Sequence, residues 1–300
     1  MNITYLPYSH IDFIKWDNCI AQASNETVYA YSYYLNHMTI HWDALVANDY
    51  EFIMPLTYNK KYGIYYLYQP PFCAQLGVFG NNITSKILEA FIQAIPLKFK
   101  YCDIYLNNEN VFTIPNIYNR INYILDLNKP YNIIYDAFRE NIKRNIKKCK
   151  QLNTEVKKDI AINCIIELAK EQNATFSNLS NNNYQSLEQL FMYLKKQNKA
   201  ITYGIYLQEK LLASAAFFFS GNRAYYILVG NSPDGKTLGA SHALINTFIE
   251  DHANQNLILD FEGSDISSLA FFYSSFGAIE EKYSALKFNK LPWFVKWLKT

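Results

Sequence analysis

The chain has 300 residues, half of them hydrophobic, and a formal net charge of +2 at pH 7. This length predicts about two domains. The 26 tyrosines and 20 phenylalanines, set against only 10 glycines, exclude a disordered or low-complexity chain. The nearly balanced charge excludes a protein that is basic over its whole surface, so any contact with phosphates must be local.

The compartment follows from the cysteines and from the absence of targeting segments in the sequence. Five scattered cysteines without C-x-x-C spacing indicate reduced thiols rather than a disulfide framework. The first residues lack the apolar core of a signal peptide, and no stretch is long enough to span a bilayer. We therefore expect a cytoplasmic protein. His37 and His41 have no third ligand nearby, so no metal site is predicted.

The first half is predicted to contain two helices, three strands, a further helix and a strand. Apolar periodicity places these elements at Ile11–Ala23, Tyr29–Met38, Trp42–Ala47, Glu51–Tyr58, Ile64–Tyr68, Thr84–Ile95 and Tyr101–Leu106.

A turn follows the strand that ends at Tyr68, because Pro70 and Pro71 cannot continue a sheet ladder. Gln69 and Gln75 flank Phe72 in this turn. Amides beside an aromatic ring suit a sugar or peptide, so these three residues are candidate substrate contacts. A structural turn, in which the glutamines cap backbone groups, is an equally good interpretation.

A helix predicted at Tyr131–Cys149 is strongly basic. Its apolar residues recur at helical spacing and would face a core, whereas its cations are Arg139, Lys143, Arg144, Lys147, Lys148 and Lys150. Such a surface suits the phosphates of a tRNA, of a nucleotide-linked sugar or of an anionic membrane surface at the inner face of the membrane. A solvated helix face is the alternative. Arg139, Lys143 and Lys147 are the candidate substrate-binding residues.

The remaining elements repeat the order of the first half. They are predicted at Ile160–Glu171, Tyr184–Lys196, Ala200–Leu207, Leu211–Ser220, Ala224–Val229, Ala240–Ala253, Leu257–Phe261 and Ile279–Phe288. The turn Gly221-Asn222 joins two of the strands as a hairpin. We therefore predict an α/β protein with mixed sheets, built as two similar units at residues 1–130 and 131–300.

A glycine-punctuated segment, Gly230–Gly239, lies between a predicted strand and a predicted helix. Such a loop directs backbone N–H groups at a phosphate above the helix N-terminus. The candidate cofactor-binding residues are Leu228, Val229, Gly230, Gly235, Lys236, Thr237, Gly239 and Ala240. The same segment fits the P-loop pattern G-x-x-x-x-G-K-[ST], so a nucleotide-binding P-loop protein is an alternative.

The order hairpin, helix, strand, short aromatic helix, strand resembles the second half of the GNAT acyltransferase fold. The tandem resembles the Fem family, FemAB/FemX-type proteins that join two GNAT-like domains. This resemblance covers nearly the whole chain. The segment Gln69–Gly77 and the segment Leu259–Ser264 are similar to those of an uncharacterised Fem-like branch, and Phe138–Lys148 resembles the basic helix that opens the family's second domain.

This resemblance implies an N-acyltransferase or aminoacyltransferase that acts on an amine of a cell-envelope or sugar precursor. The donor, acyl-coenzyme A or aminoacyl-tRNA, would be a co-substrate rather than a tightly bound cofactor. Tyr273, four residues before Gly277, resembles the tyrosine that protonates the leaving group in many GNAT enzymes. Bridge-forming Fem enzymes carry a lysine where Tyr273 stands, which favours an acyl-coenzyme A donor slightly.

The base that accepts the amine's proton would be a carboxylate at the end of the strand Leu257–Phe261. Of Asp260 and Glu262, we take Glu262 as the candidate, with a structural carboxylate as the alternative. The acceptor is expected between the two domains. A non-catalytic binding protein that retains only the folds is the remaining alternative.

Overall fold

The computed structural model describes residues 1–173, 179–263 and 265–293. Contacts divide the chain into two compact units, Met1–Ile121 with Lys282–Thr300 and Asn122–Glu281. The division at residue 130 stays a prediction about domains. The contact-based units differ from it because residues 285–289 pair with a strand of the first unit.

The first unit begins with β1 (Ile3–Leu6), α1 (Phe13–Gln22), α2 (Ser32–Met38), β2 (His41–Ala47), β3 (Phe52–Lys61) and β4 (Ile64–Tyr68). It continues with α3 (Ser85–Ala94), β5 (Phe99–Tyr105) and the start of β6 (Ile117–Asp126), and it regains most of the last strand, β12 (Ile279–Asn289). Its strands β1 to β4 form an antiparallel meander, β4 and β5 are parallel, and β5 pairs antiparallel with β12.

The second unit contains the end of β6 and then α4 (Tyr131–Asp136), α5 (Glu140–Gln151), β7 (Glu155–Lys158), α6 (Ile162–Asn173), α7 (Asn181–Lys195), β8 (Ala200–Leu207), β9 (Lys210–Ser220) and β10 (Arg223–Asn231). It ends with α8 (Pro233–Leu238), α9 (Ala240–His252), β11 (Ile258–Asp260), α10 (Ser267–Ser274) and the start of β12.

The strand pattern of the first unit recurs in the second. Strands β7 to β10 form an antiparallel meander, β10 and β11 are parallel, and β11 pairs antiparallel with β6. This repeat confirms the predicted mixed α/β class and the tandem of similar units. Strand β6 follows β5 in the chain but pairs with β11 of the second unit. Strand β12 follows β11 in the chain but pairs with β5 of the first unit.

Each core follows from the apolar alternation of its strands. In the first unit, Leu45, Met54, Leu56, Phe91 and Leu286 are fully buried within one cluster. In the second unit, the ring of Phe217 stacks on the ring of Phe248, with 3.8 Å between ring centroids. Stacks of this kind stabilise the packing of α9 on β8 and β9.

The helix predicted at Tyr131–Cys149 is two helices. Helix α4 ends at Asp136, and α5 begins at Glu140. Arg139 is extended, with φ −66° and ψ 153°, and its N–H donates to the carbonyl of Ser275. The helix is interrupted because this tertiary hydrogen bond replaces an intrahelical one, a competition that periodicity does not report.

Candidate functional site

The parallel strands β10 and β11 separate to form a fork. Within the described residues, their pairing is confined to Arg223–Tyr225 opposite Ile258–Asp260. A β-bulge between Tyr226 and Leu228 shifts the pairing of β10 with β9, and such bulges bend a strand. On the other side, Glu262 and Gly263 have φ values of 63° and 86°, which turn the chain after β11. In open α/β sheets, ligands bind in crevices at the carboxyl ends of strands, so the fork is a candidate ligand site.

Aromatic rings lie beside this fork. Phe261 stacks on Tyr273, with ring centroids 4.5 Å apart and planes inclined by 20°. The ring of Tyr226 stands edge-on to Phe261 at 6.0 Å, and Tyr273 is only 8% exposed. These rings keep the surroundings of the Tyr273 hydroxyl apolar, so a proton transfer there would occur at low dielectric.

The electrostatics of Tyr273 suit a proton donor. Burial, and secondly the charge of Glu262, raise the pKa of Tyr273 well above the usual phenol value. The phenol is therefore protonated throughout the physiological pH range. Phe261, the neighbour of Glu262 in the chain, stacks on Tyr273, so the two predicted catalytic residues lie in one neighbourhood, as an acid and a base of a single reaction must.

Of the two candidate carboxylates, Asp260 has a structural environment. It is 3% exposed, and its Oδ2 accepts from Arg223 at 2.9 Å. Its Oδ1 accepts from Asn122 Nδ2 at 2.9 Å and from the Glu262 N–H at 2.8 Å. Burial raises the pKa of Asp260, and the charge of Arg223 opposes that rise. Since both oxygens of Asp260 already accept hydrogen bonds, the half-buried Glu262 is the better candidate for the base.

The predicted glycine loop at Gly230–Gly239 is wrong as a description of the backbone. Gly230 lies in β10 opposite Ser214, and residues 233–238 form helix α8. Ser232 caps this helix by accepting from the Gly235 N–H at 3.0 Å, and Pro233 occupies its first turn. Serine followed by proline is a helix-start signal, and it prevails here over the loop signal of the glycines.

Two glycines of this segment allow close packing. A Cβ at Gly235 would collide with the carbonyl of Leu212, and one at Gly239 would lie 2.9 Å from Asn145 of α5. Gly239 also has a left-handed φ of 76°, which lets the chain pass directly from α8 into α9. These glycines therefore have a structural explanation that needs no phosphate.

The amides of this segment are largely used within the protein. The N–H groups of Ser232, Lys236 and Gly239 donate to the carbonyls of Leu212, Ser232 and Gly235 respectively. Thr237 Oγ1 donates to the Pro233 carbonyl. A P-loop needs its amides and this hydroxyl directed at phosphates and magnesium, so the backbone does not have the P-loop geometry.

The eight predicted cofactor-binding residues share this neighbourhood. Leu228 and Val229 lie in β10 opposite Ala216 and Ala215, Lys236 is exposed on α8, and Ala240 is the buried first residue of α9. Their binding role stays a prediction.

Helix α5 has the two surfaces that the sequence predicts. Ile142, Ile146 and Cys149 are buried, whereas Lys147 and Lys150 are exposed beside Tyr135, Ile146 and Gln151 around a shallow cavity of about 400 Å³. Arg139 lies over the ring of Phe271, with the guanidinium carbon 4.9 Å from its centroid, and Lys143 pairs with Glu140 at 3.3 Å. The substrate role of Arg139, Lys143 and Lys147 stays a prediction.

The glutamines of the first unit hold its backbone. Gln69 donates to the Cys73 carbonyl at 2.7 Å and accepts from the Tyr105 N–H at 2.8 Å. Gln75 is 5% exposed, and Phe72 has a left-handed φ of 55°. This arrangement supports the structural interpretation of the turn for Gln69, and a substrate contact by these three residues stays a prediction.

Arg223, at the start of β10, was not predicted from the sequence as part of the candidate site. Its guanidinium bonds to Asp260 and, through both terminal nitrogens, to Glu281. An arginine at the first position of an otherwise apolar strand is the signal that could have indicated a buried partner, because lone cations are rare inside sheets.

Comparison with known proteins gives a family match within the second unit. Residues 136–265 match the acetyltransferase (GNAT) domain family. This match covers the fork, α9 and the basic helix α5, and it supports an acyltransferase. A comparison with curated proteins gave no match.

Solved structures extend the likeness over the whole chain. The structure of FemX has a TM-score of 0.67 at 12% identity and covers 95% of this chain and 97% of its own. A conserved protein of unknown function from Bacteroides thetaiotaomicron VPI-5482 has a TM-score of 0.62 at 13% identity, covering 94% and 100%. The C-terminal domain of a putative lysylphosphatidylglycerol synthetase from Agrobacterium fabrum has 0.54 at 9%, covering 96% and 94%. The chain thus has the Fem-like tandem GNAT fold, which confirms the predicted resemblance.

No helix within the described residues is both long enough and apolar enough to cross a membrane.

Proposed function

We propose that this chain is an N-acyltransferase or aminoacyltransferase that moves an acyl or aminoacyl group onto an amine of a cell-envelope or sugar precursor. The observation that carries this proposal is the fork between β10 and β11, with Glu262 and Tyr273 beside it. The match of residues 136–265 to the GNAT domain family supports the same reaction class.

The reaction needs a base, an acid and room for a carbonyl between them. Glu262 takes a proton from the attacking amine, and a C–N bond forms at the donor carbonyl. Tyr273 gives its proton to the departing sulfur or oxygen as the C–S or C–O bond breaks. The proton that Glu262 gained then restores the phenol. Each general acid or base contributes about 10²- to 10⁴-fold to such a step.

The donor is a co-substrate, either acyl-coenzyme A or aminoacyl-tRNA. The amides around α8 that donate inside the protein support a donor whose phosphates bind elsewhere. The exposed cations of α5 offer such a place. One similar structure is named a putative lysylphosphatidylglycerol synthetase, a name that denotes an aminoacylated product. Tyr273, at the position of the bridge-forming enzymes' lysine, favours the thioester, whereas this name favours the aminoacyl ester, so both donors are tested.

The decisive experiment is a donor screen followed by turnover. The full chain is incubated with acetyl- and longer acyl-coenzyme A, with charged tRNA and with ATP, and binding is read by thermal shift. Donors that bind are then tested for acyl transfer to amino sugars and to lipid-linked precursors. Glu262→Gln and Tyr273→Phe should retain donor binding and lower turnover about 10²-fold or more, to a residual rate. Donor binding without turnover in the unaltered chain would favour a binding protein instead.

The partner of the basic helix is tested separately. We propose that Arg139, Lys143 and Lys147 hold the phosphates of a tRNA or of an anionic membrane surface. A Lys143→Glu/Lys147→Glu variant should weaken binding to that polyanion and flatten its dependence on salt. Lys60→Glu/Lys61→Glu, on β3, is the matched control for net charge. Filter binding to charged tRNA and cosedimentation with phosphatidylglycerol vesicles distinguish the two polyanions.

A further inference from the structure

A cluster of charged side chains lies at the root of the fork in the second unit. Arg223 Nη1 donates to Asp260 Oδ2 and to Glu281 Oε2, both at 2.9 Å, and its Nη2 donates to Glu281 Oε1 at 2.5 Å. Asn122 Nδ2 donates to Asp260 Oδ1 at 2.9 Å. The side chain of Arg223 is 16% exposed and that of Asp260 is 5% exposed, so the pair is largely shielded from water.

Stability alone is a poor reason for such a cluster. Desolvation of buried charges costs about as much as their attraction returns, and well-packed apolar residues often stabilise a core equally well. What the cluster does provide is fixed geometry, because a planar guanidinium holds carboxylates through paired hydrogen bonds. Arg223 thereby fixes the orientation of Asp260 at the last position of β11.

Asp260 connects this cluster to the site. The oxygen that does not face Arg223, Oδ1, accepts from the backbone N–H of Glu262 at 2.8 Å. Glu262 has a left-handed φ of 63°, a strained conformation for a non-glycine residue that persists where surrounding contacts enforce it. The hydrogen bond from Asp260 is one such contact. It acts on the residue whose charge influences Tyr273.

We propose that Arg223 is a positioning residue: by fixing Asp260 it holds the Glu262 backbone in its left-handed conformation and so aims the Glu262 carboxylate at the reacting amine. This inference rests on the proposed role of Glu262 as the base. In this proposal the whole effect of Arg223 on the reaction passes through Glu262.

A double-mutant cycle tests this dependence. Arg223→Lys keeps the positive charge and loses the planar fork, and it should lower kcat about tenfold to a hundredfold, in keeping with the cost of a small misplacement, while the KM of the donor stays unchanged. In a Glu262→Gln background the same Arg223→Lys change should alter kcat by less than about twofold, because there is no longer a base to misplace. An equal loss in both backgrounds would overturn the proposal, since a general structural role is indifferent to Glu262.

A structural readout keeps the test independent of turnover. In a crystal structure of Arg223→Lys, φ of Glu262 should leave the left-handed region and the hydrogen bond from its N–H to Asp260 should be lost. An unchanged φ with the hydrogen bond intact would overturn the proposal even if the unaltered chain transferred no acyl group. If Arg223→Lys does not fold, Asp260→Asn serves both readouts, because it retains the size of the side chain and loses the charge that Arg223 holds.

Discussion

The rings of Phe261 and Tyr273 lie nearly parallel, with centroids 4.5 Å apart, so the residue that follows β11 packs directly on helix α10. This stack fixes the position of the Tyr273 ring, whereas the proposed proton transfer uses only the Tyr273 hydroxyl. Removal of the hydroxyl alone is therefore the informative substitution.

Tyr273→Phe should reduce turnover about 10²-fold or more, because a positioned general acid contributes about 10²- to 10⁴-fold. The melting temperature should change by only a few degrees, since the stacked ring remains. Single-turnover kinetics and thermal unfolding measure the two effects. Tyr123→Phe is the matched control, because its ring neighbours Tyr273 and its hydroxyl bonds to Glu280 instead. Equal turnover by Tyr273→Phe and the unaltered chain would remove Tyr273 from the mechanism.

His242 should make the protein labile to mild acid. Its ring packs against Phe272 with centroids 5.0 Å apart, and burial lowers the pKa of His242 to about 4. The unfolded chain binds a proton at His242 near pH 6.5, whereas the folded chain binds it only near pH 4. The contribution of the neutral His242 to stability is therefore fully present above pH 6.5 and declines as the pH falls towards 4. The difference between the two pKa values corresponds to about 3 kcal/mol in the free energy of unfolding. Denaturant unfolding of His242→Leu should show a smaller decline over this interval.

The exposed His10 provides the control for that measurement. His10→Gln should leave the acid profile of stability unchanged. An identical profile for His242→Leu and the unaltered chain would show that other groups cause the decline.

Gly235 and Lys236 distinguish packing from phosphate binding in the segment that fits the P-loop pattern. Gly235→Ala should destabilise the protein by about 1–3 kcal/mol, because its Cβ collides with the Leu212 carbonyl. Lys236→Ala, one residue along on the exposed side of α8, should change stability by less than about 0.5 kcal/mol. Urea unfolding measures both. Loss of an ATPase activity in Lys236→Ala would instead restore the P-loop interpretation.

A fragment of residues 1–130 should not fold cooperatively. It lacks residues 285–289, which pair with β5, and it lacks Leu286, which is fully buried in the first unit's core. Size-exclusion chromatography and circular dichroism should show an expanded or aggregated chain. Addition of a peptide that spans residues 279–290 should restore compactness. A sharp unfolding transition in the fragment alone would mean that β12 is dispensable for this unit.

Most of the fold could be predicted from the sequence, because long apolar periodicities and a repeated order of elements can be recognised in the chain itself. Helices such as α3 and α9, and strands such as β4, lie within a few residues of their predicted bounds. Three strands escaped prediction, namely β1, the ten-residue β6 and β7. The four residues of β7, Glu155–Lys158, are all exposed, so no alternation of burial marks it as a strand. Its existence depends on pairing with β8, which is a tertiary fact.

The site was predictable only in part, for a similar reason. Tyr273 and Glu262 could be selected by resemblance and by their place at the end of a strand. The partnership of Arg223, Asp260 and Glu281 joins three strands far apart in sequence, and no spacing rule connects them. The prediction of a phosphate-binding loop after β10 was wrong because Gly235 and Gly239 are needed for close packing. A glycine that allows close packing cannot be distinguished, from sequence alone, from a glycine of a phosphate-binding loop.

The return of β12 to the first unit has a consequence for biosynthesis. A ribosome that has released the first 130 residues has delivered every strand of that sheet except the one that must lie beside β5. The edge of β5 stays unpaired until β12, near the end of the chain, has been synthesised. An unpaired edge strand can form hydrogen bonds with strands of other chains and so promote aggregation. We expect the nascent chain to require chaperone protection over this interval, and slowed translation of the second half to increase aggregation in cells.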